Sequence, residues 1–179
     1  MSYTKQLFIA AVAACALIAF ATPTRAQEAK KESAQQAKKK GALQGQDMKY
    51  FREMAQANLA EVHAGKMAQG KARNAEVKQF AQHMVEDHGK KLSEARTMAK
   101  SKRVQVPSAP AKKHQAAAKK LEQASGAAFD KAYMQQMVKD HEEALKLHQA
   151  AAKGAKDKEL KAAAEKSVPD IQKHLEMAK

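Results

Sequence analysis

From residue 47 onward, apolar and small residues return at alternating spacings of three and four. That is the period of a helix with one buried face. Phe51, Met54, Asn58, Glu61, Gly65, Ala68 and Ala72 share one stripe, which predicts helix A from an N-cap near Asp47 to about Ala72. Asn74 reads as the cap of helix B, which runs to about Lys100 with Val77, Ala81, Met84, His88, Leu92, Ala95 and Ala99 on its stripe and Phe80 and Val85 widening it. Pro107 and Pro110 break the pattern. A short amphipathic helix is expected over Ala111 to Ala124, then a further break at Ser125-Gly126. Helix C covers about Ala127 to Lys153, with Met134, Met137, His141, Leu145, His148 and Ala152 on the stripe and Phe129, Tyr133 and Val138 flanking it. Gly154 ends helix C and Asp157 caps helix D, whose stripe is Leu160, Ala164, Ser167, Ile171, His174 and Ala178. Pro169 removes a backbone donor within helix D, so a kink or break is expected there.

Four seams and two tight turns predict an all-α, up-down-up-down four-helix bundle. The long B–C connection, with its short extra helix, resembles the crossover of ferritin-like bundles. The domain is placed at 47–179. Ahead of it, Glu28 to Gln46 is rich in Lys, Gln, Ala and Glu with almost no large apolar side chain. Such a stretch buries too little surface to offset its ordering entropy. Residues 27–46 are therefore read as a flexible basic linker, of which residues 27–45 are expected to be removable without loss of stability.

The first 26 residues carry a different pattern. Lys5 precedes an apolar run from Leu7 to Ala21 that is too short to span a bilayer comfortably, and Thr24-Arg25-Ala26 is a small-x-small cleavage site. This is a secretory signal peptide, with the mature start at Gln27. Val12-Ala13-Ala14-Cys15 also resembles a lipobox, which would leave a lipid anchor at Cys15; the apolar sequence continuing to Ala21 favours the signal peptide. Export to the periplasm follows, with the outer membrane reached only peripherally. No transmembrane helix is expected in the mature chain.

Cys15 is the single cysteine, so thiolate metal sites and thiol catalysis are excluded from the mature domain. The formal charge is +14; the leader holds Lys5 and Arg25 and no acid, so its removal leaves +12. A surface this basic favours acidic envelope components as partners. Sequence-specific nucleic-acid binding is not indicated, since no arginine cluster, Gly-rich loop or aromatic stacking set is present.

Each seam carries one potential metal ligand: Glu61 on A, His88 on B, His141 on C and His174 on D. A polar side chain facing a bundle core is costly unless paired or ligated, and one on every helix invites a shared explanation. Counting from the A–B turn at about 1.5 Å per residue puts Glu61 and His88 within roughly 5 Å along the axis, with Asn58 matching His88 more closely still. The same count from the C–D turn leaves His141 and His174 roughly 7 Å apart, which makes His174 the weaker member. His88 and His141 also share a repeated context, Phe80-x3-Met84-Val85-x-Asp87-His88 and Tyr133-x3-Met137-Val138-x-Asp140-His141. Asp87 and Asp140, with Asn58, are candidates to accept an imidazole N–H from outside the ligand set. His63, His83 and His114 fall off the stripes and are expected at the surface. Histidine with one carboxylate suits a divalent metal such as zinc or iron, while Met at helical spacing from His would suit copper. A carboxylate-bridged di-iron oxidase does not fit, because Val85 and Val138 stand where its Glu-x-x-His motifs need Glu. The competing reading is plain structure: buried neutral histidines hydrogen-bonded to acidic partners.

Asn58-x-x-Glu61-Val62-x-x-Gly65, Val77-Lys78-x-Phe80-Ala81-x-x-Met84-Val85-x-Asp87-His88, the run Gly126 to Tyr133, Met137-Val138-x-Asp140-His141 and Val168-Pro169-x4-His174-Leu175 together resemble one exported bacterial family. It is the domain-of-unknown-function family 4142 (DUF4142), often carried under an outer-membrane label and placed among ferritin-like folds. The resemblance covers about residues 47 to 178. It implies a ferritin-like bundle in the cell envelope and brings no settled activity with it. A β-barrel would need many alternating strands, and the sequence has none.

Three functions remain open at this level, the third, a redox enzyme on a ferritin-like site, being disfavoured by the missing Glu-x-x-His motifs. One is an exported envelope protein binding a metal ion in its core through His and Glu. The alternative is a non-catalytic basic helical module for acidic envelope components or stress protection. No Ser or Cys elbow and no phosphate loop marks an enzyme.

Overall fold

A computed structural model describes residues 41–179, together with Arg25, Gln27, Glu28 and Lys30. The chain separates into two compact units, Met1–Ala37 and Lys38–Lys179. In the first, the four described residues are helical and exposed. Cys15, Thr24 and Ala26, on which the leader and lipobox readings rest, lie outside the described residues.

The second unit is all helical among its described residues: α1 (Gly45–Lys71), α2 (Ala75–Lys102), α3 (Lys112–Gln123), α4 (Gly126–Gly154) and α5 (Lys158–Ala178). Two caps fall where the sequence put them. The Asn74 side chain accepts from the Glu76 and Val77 N–H groups at 2.7 and 3.4 Å, and Asp157 accepts from Glu159 and Leu160 at 3.1 and 3.0 Å. Asp47 does not cap α1. It lies inside the helix, buried, and accepts from the backbone N–H groups of Lys156 and Asp157 at 3.0 and 2.8 Å. Asp130 does the same at the other end, accepting from Arg73 and Asn74 at 3.0 and 2.9 Å. Each interhelical turn is thus clamped by a carboxylate from the neighbouring hairpin.

These clamps fix the helix directions. The start of α4 lies beside the end of α1, and the end of α4 beside the start of α1. The Lys102–Asp157 and Lys91–Asp170 pairs make α2 and α5 antiparallel. The order is therefore up-down-down-up, not up-down-up-down. The reason is the crossover: residues 103–125 run the length of the bundle, with α3 packed on α1 and α4, and return the chain to the end where α2 began. Around the bundle α1 neighbours α2 and α4, and α5 neighbours α2 and α4. Gly65 sets the α1–α2 approach: a Cβ there would lie 2.8 Å from Val85 Cγ2 and 3.0 Å from the Ala81 carbonyl oxygen.

The stripes of α1 and α5 are buried throughout, and that of α2 except at half-buried Ala95. The α4 stripe is rotated from its expected setting. Phe129, Tyr133, Met137, His141, His148 and Ala151 face the core, while Met134, Leu145 and Ala152 are only half-buried. The two aromatic side chains carry the larger apolar areas and take the centre. Pro169 sits on the exposed side of α5, which continues unbroken past it. Leu43, within the stretch read as linker, is 3% exposed and packs with Phe51, Met98 and Leu160.

The apolar core comes in two parts. One gathers around Phe80, Met84, Leu121, Phe129, Tyr133 and Met137. The other gathers around Phe51, Met54, Met98, Leu160 and Ala164. Along every long helix, a buried polar residue falls between the two: Asn58 and Glu61, His88, His141, and His174 with Ser167.

Candidate metal centre

His88 on α2, His141 on α4 and His174 on α5 meet at the middle of the bundle. Their exposures are 4, 1 and 1%. Ring centroids lie 5.6 Å apart for His88–His141, 5.3 Å for His88–His174 and 5.4 Å for His141–His174. Each ring offers one nitrogen such that all three lie within 4.8 Å of one another. His174 belongs fully to the set, although its counted height matched worst. In an α-helix the side chain leans toward its own N-terminus. His141 and His174 sit on antiparallel helices, so their leans converge and close the gap that Cα positions leave.

The tautomers follow from the neighbours. Asn58 donates its amide to the Met54 carbonyl at 2.9 Å, which turns its oxygen toward His88 Nδ1 at 2.7 Å. That nitrogen must be the donor. His141 Nδ1 donates to the Met137 carbonyl at 2.8 Å. His174 Nε2 donates to Asp87 Oδ2 at 3.1 Å. Every ring therefore spends its N–H on an oxygen and keeps one lone pair. Those lone-pair atoms, His88 Nε2, His141 Nε2 and His174 Nδ1, are buried without a hydrogen-bond partner, as are Glu61 Oε2 and the Tyr133 hydroxyl. An unpaired buried acceptor costs about 1–3 kcal/mol. With one nitrogen of each ring within 4.8 Å of the others, the three imidazoles could hold a metal ion, each ring being fixed by an outer acceptor.

Electrostatics agree with neutral ligands. Burial pushes His141 down to about 4, against an opposing hydrogen bond to Met137. Burial also holds His88 well below the ordinary histidine range, helped by His141 and His174. His174 is lowered by burial as well, with its Asp87 bond opposing. Glu61 is driven well above the carboxylate range by burial and by Asp140.

Glu61, on α1, is 5% exposed and places Oε1 3.9 Å from His141 Nδ1, but it stands outside the tight three-imidazole group. Asn58 is the outer acceptor for His88. Asp87 is the outer acceptor for His174, reaching across to α5 rather than along α2. Asp140 touches none of the three rings; it pairs with His114 at 3.5 Å and accepts from Gln136 at 2.9 Å. His63 is exposed, but His83 and His114 are half-buried. His83, expected at the surface and given no role, in fact meets the His174 ring edge-on at 5.3 Å and places its Nε2 3.3 Å from Asp87 Oδ2. Its spacing from Asp87, four residues along one helix face, was the available signal.

The sequence profile of the Domain of unknown function (DUF4142) matches residues 29–179. The chain belongs to the DUF4142 family. No curated protein matches it. Among solved structures the DUF4142 bundle is similar to a DUF305 protein from Streptomyces coelicolor, described as secreted, with a TM-score of 0.63 at 15% identity over 74% of this chain and 88% of that one. At that identity the likeness concerns the fold alone. No helix among the described residues is long and apolar enough to cross a membrane.

Proposed function

We propose that this protein is an exported metal-binding bundle that holds one divalent transition-metal ion on His88, His141 and His174. The observation that carries this reading is the convergence of three buried, unpartnered imidazole nitrogens whose opposite nitrogens are each engaged by an oxygen. Three neutral nitrogen donors suit zinc or copper(II). Glu61 is the nearest carboxylate on the fourth helix and would complete a tetrahedral set by turning its unpartnered oxygen inward. Held toward its protonated form by burial, it would release a proton as the ion arrives.

Export is supported by the leader pattern at residues 1–26 and by the secreted description of the DUF305 neighbour. The periplasm is the proposed compartment. Metal holding, rather than turnover, fits a site without a nucleophile and without Glu-x-x-His ligands.

The test is metal content by mass spectrometry after loading the mature protein with zinc, copper or iron and removing free ion. Close to one equivalent of zinc or copper is expected, lost in His88→Ala or His141→Ala and kept in His63→Ala. Equal content in all four proteins would remove the reading.

A further inference from the structure

The proposed centre is sealed. Its three lone-pair nitrogens have essentially no solvent exposure, so an ion needs a way in. One ring reaches both sides: His174 packs against the rings of His88 and His141 and keeps Nδ1 unpartnered, while its Nε2 meets Asp87. On that outer side lies a second group of converging ligands. His83, Asp87 and His174 each place one ligand atom within 4.8 Å of the others. His83 Nε2 is 3.3 Å and His174 Nε2 3.1 Å from the same carboxylate oxygen, Asp87 Oδ2. His83 and Asp87 are partly open to solvent, their side chains 34 and 26% exposed. His83 lines an open groove of about 600 Å³ between α2 and α5, together with Glu76, Phe80, Glu86, Lys173 and Met177. Lys90 lies 3.5 Å from Asp87 Oδ1 and is itself 76% exposed, so it leaves Oδ2 to the two histidines and can swing away.

We propose that His83, Asp87 and His174 form a second, solvent-facing site for a divalent transition-metal ion, and that this site is the port through which the buried centre is loaded. Two imidazoles and one carboxylate match borderline divalent ions such as zinc, cobalt and copper(II). Asp87 supplies the negative charge that draws the ion from water. His83 holds it at the groove together with His174 Nε2, whose proton passes to the unpartnered Nδ1; as the ring turns and hands the ion to His88 and His141 through Nδ1, the proton returns to Nε2. Because His174 serves both sites, an ion at the port occupies it only in transit. The existence of the outer site stands on its own geometry; its role as a port rests on the buried-centre reading above.

Cobalt(II) separates the two. In a buried four-coordinate site it gives an intense visible d–d band, which stopped-flow absorbance can follow in the metal-free mature protein. The port predicts that the loading rate of wild type saturates with cobalt concentration, because the outer site fills first. In His83→Gln the rate should be at least tenfold lower at low cobalt and linear in concentration, with the same final band. His83→Ala, judged by the same trace, covers the case in which the glutamine itself binds ion; matching circular dichroism shows that either variant keeps the fold. Wild-type loading kinetics in both variants would overturn the port. So would a smaller final band, which would mean that His83 holds the buried ion rather than admitting it. If wild type develops no band at all, the buried-centre reading fails, and the outer site is judged alone by calorimetric titration with copper(II). One weak equivalent lost in His83→Gln supports it, and equal binding in both proteins ends it.

Discussion

Acidifying the metal-free bundle should destabilise it through the histidine cluster. His141 titrates near its ordinary 6.5 in the unfolded chain and at about 4 in the folded one, because burial penalises the imidazolium. Its folded value is depressed, so the unfolded state takes up the proton first. Stability is therefore intact above about 6.5 and declines as pH falls toward about 4, by about 3 kcal/mol in all at 1.36 kcal/mol per unit. His88 and His174 shift the same way. Glu61 works against them: raised in the folded state, it stabilises at low pH and loses that contribution as pH rises from 4.5 through its elevated value. A His141→Gln variant isolates one contribution, since glutamine does not titrate. Urea unfolding of EDTA-treated wild type and variant at pH 7.5 and at pH 4.5 gives the comparison. Between those values, wild type should lose about 2–3 kcal/mol more than the variant. Identical losses would mean that His141 is not held neutral in the core, and the basis for neutral ligands would go with it.

Other outcomes follow from single contacts. Asn58→Leu keeps the volume but removes the acceptor for His88 Nδ1, and should weaken zinc binding about 10- to 100-fold by calorimetry while the circular dichroism stays helical. Gly65→Ala must push α1 from α2 against Val85 and the Ala81 carbonyl, costing about 1–3 kcal/mol in urea unfolding. A chain starting at Gln46 loses buried Leu43 and should be about 1.5–3 kcal/mol less stable than one starting at Gly41.

The helices and their buried faces were legible because spacing is a one-dimensional signal, and α1, α2 and α5 buried their expected stripes almost residue for residue. In α4 two neighbouring faces were both apolar, and spacing could not rank them; the larger areas of Phe129 and Tyr133 did. The direction of α4 depended on how far the crossover travels, and its length alone does not say. Asp47 read as a helix cap and Asp130 carried no reading of its own; only the packed bundle shows that each clamps the opposite turn. The polar layer was legible as one chemical residue per seam, and three of those four came together as a tight group. Counting Cα heights undervalued His174, because side-chain lean in antiparallel helices adds reach that a backbone count omits. His83 was overlooked since it lies beside the stripe, where it meets a residue from α5 rather than its own helix's core partners.

What surrounds an ion in that layer decides whether the three imidazoles are its ligands. X-ray absorption at the zinc edge of the loaded, washed protein reads it directly. A four-coordinate shell at about 2.0–2.1 Å is expected, with three imidazoles identified by their outer-ring scattering. A shell made mainly of water oxygens, with one imidazole or none, would contradict it.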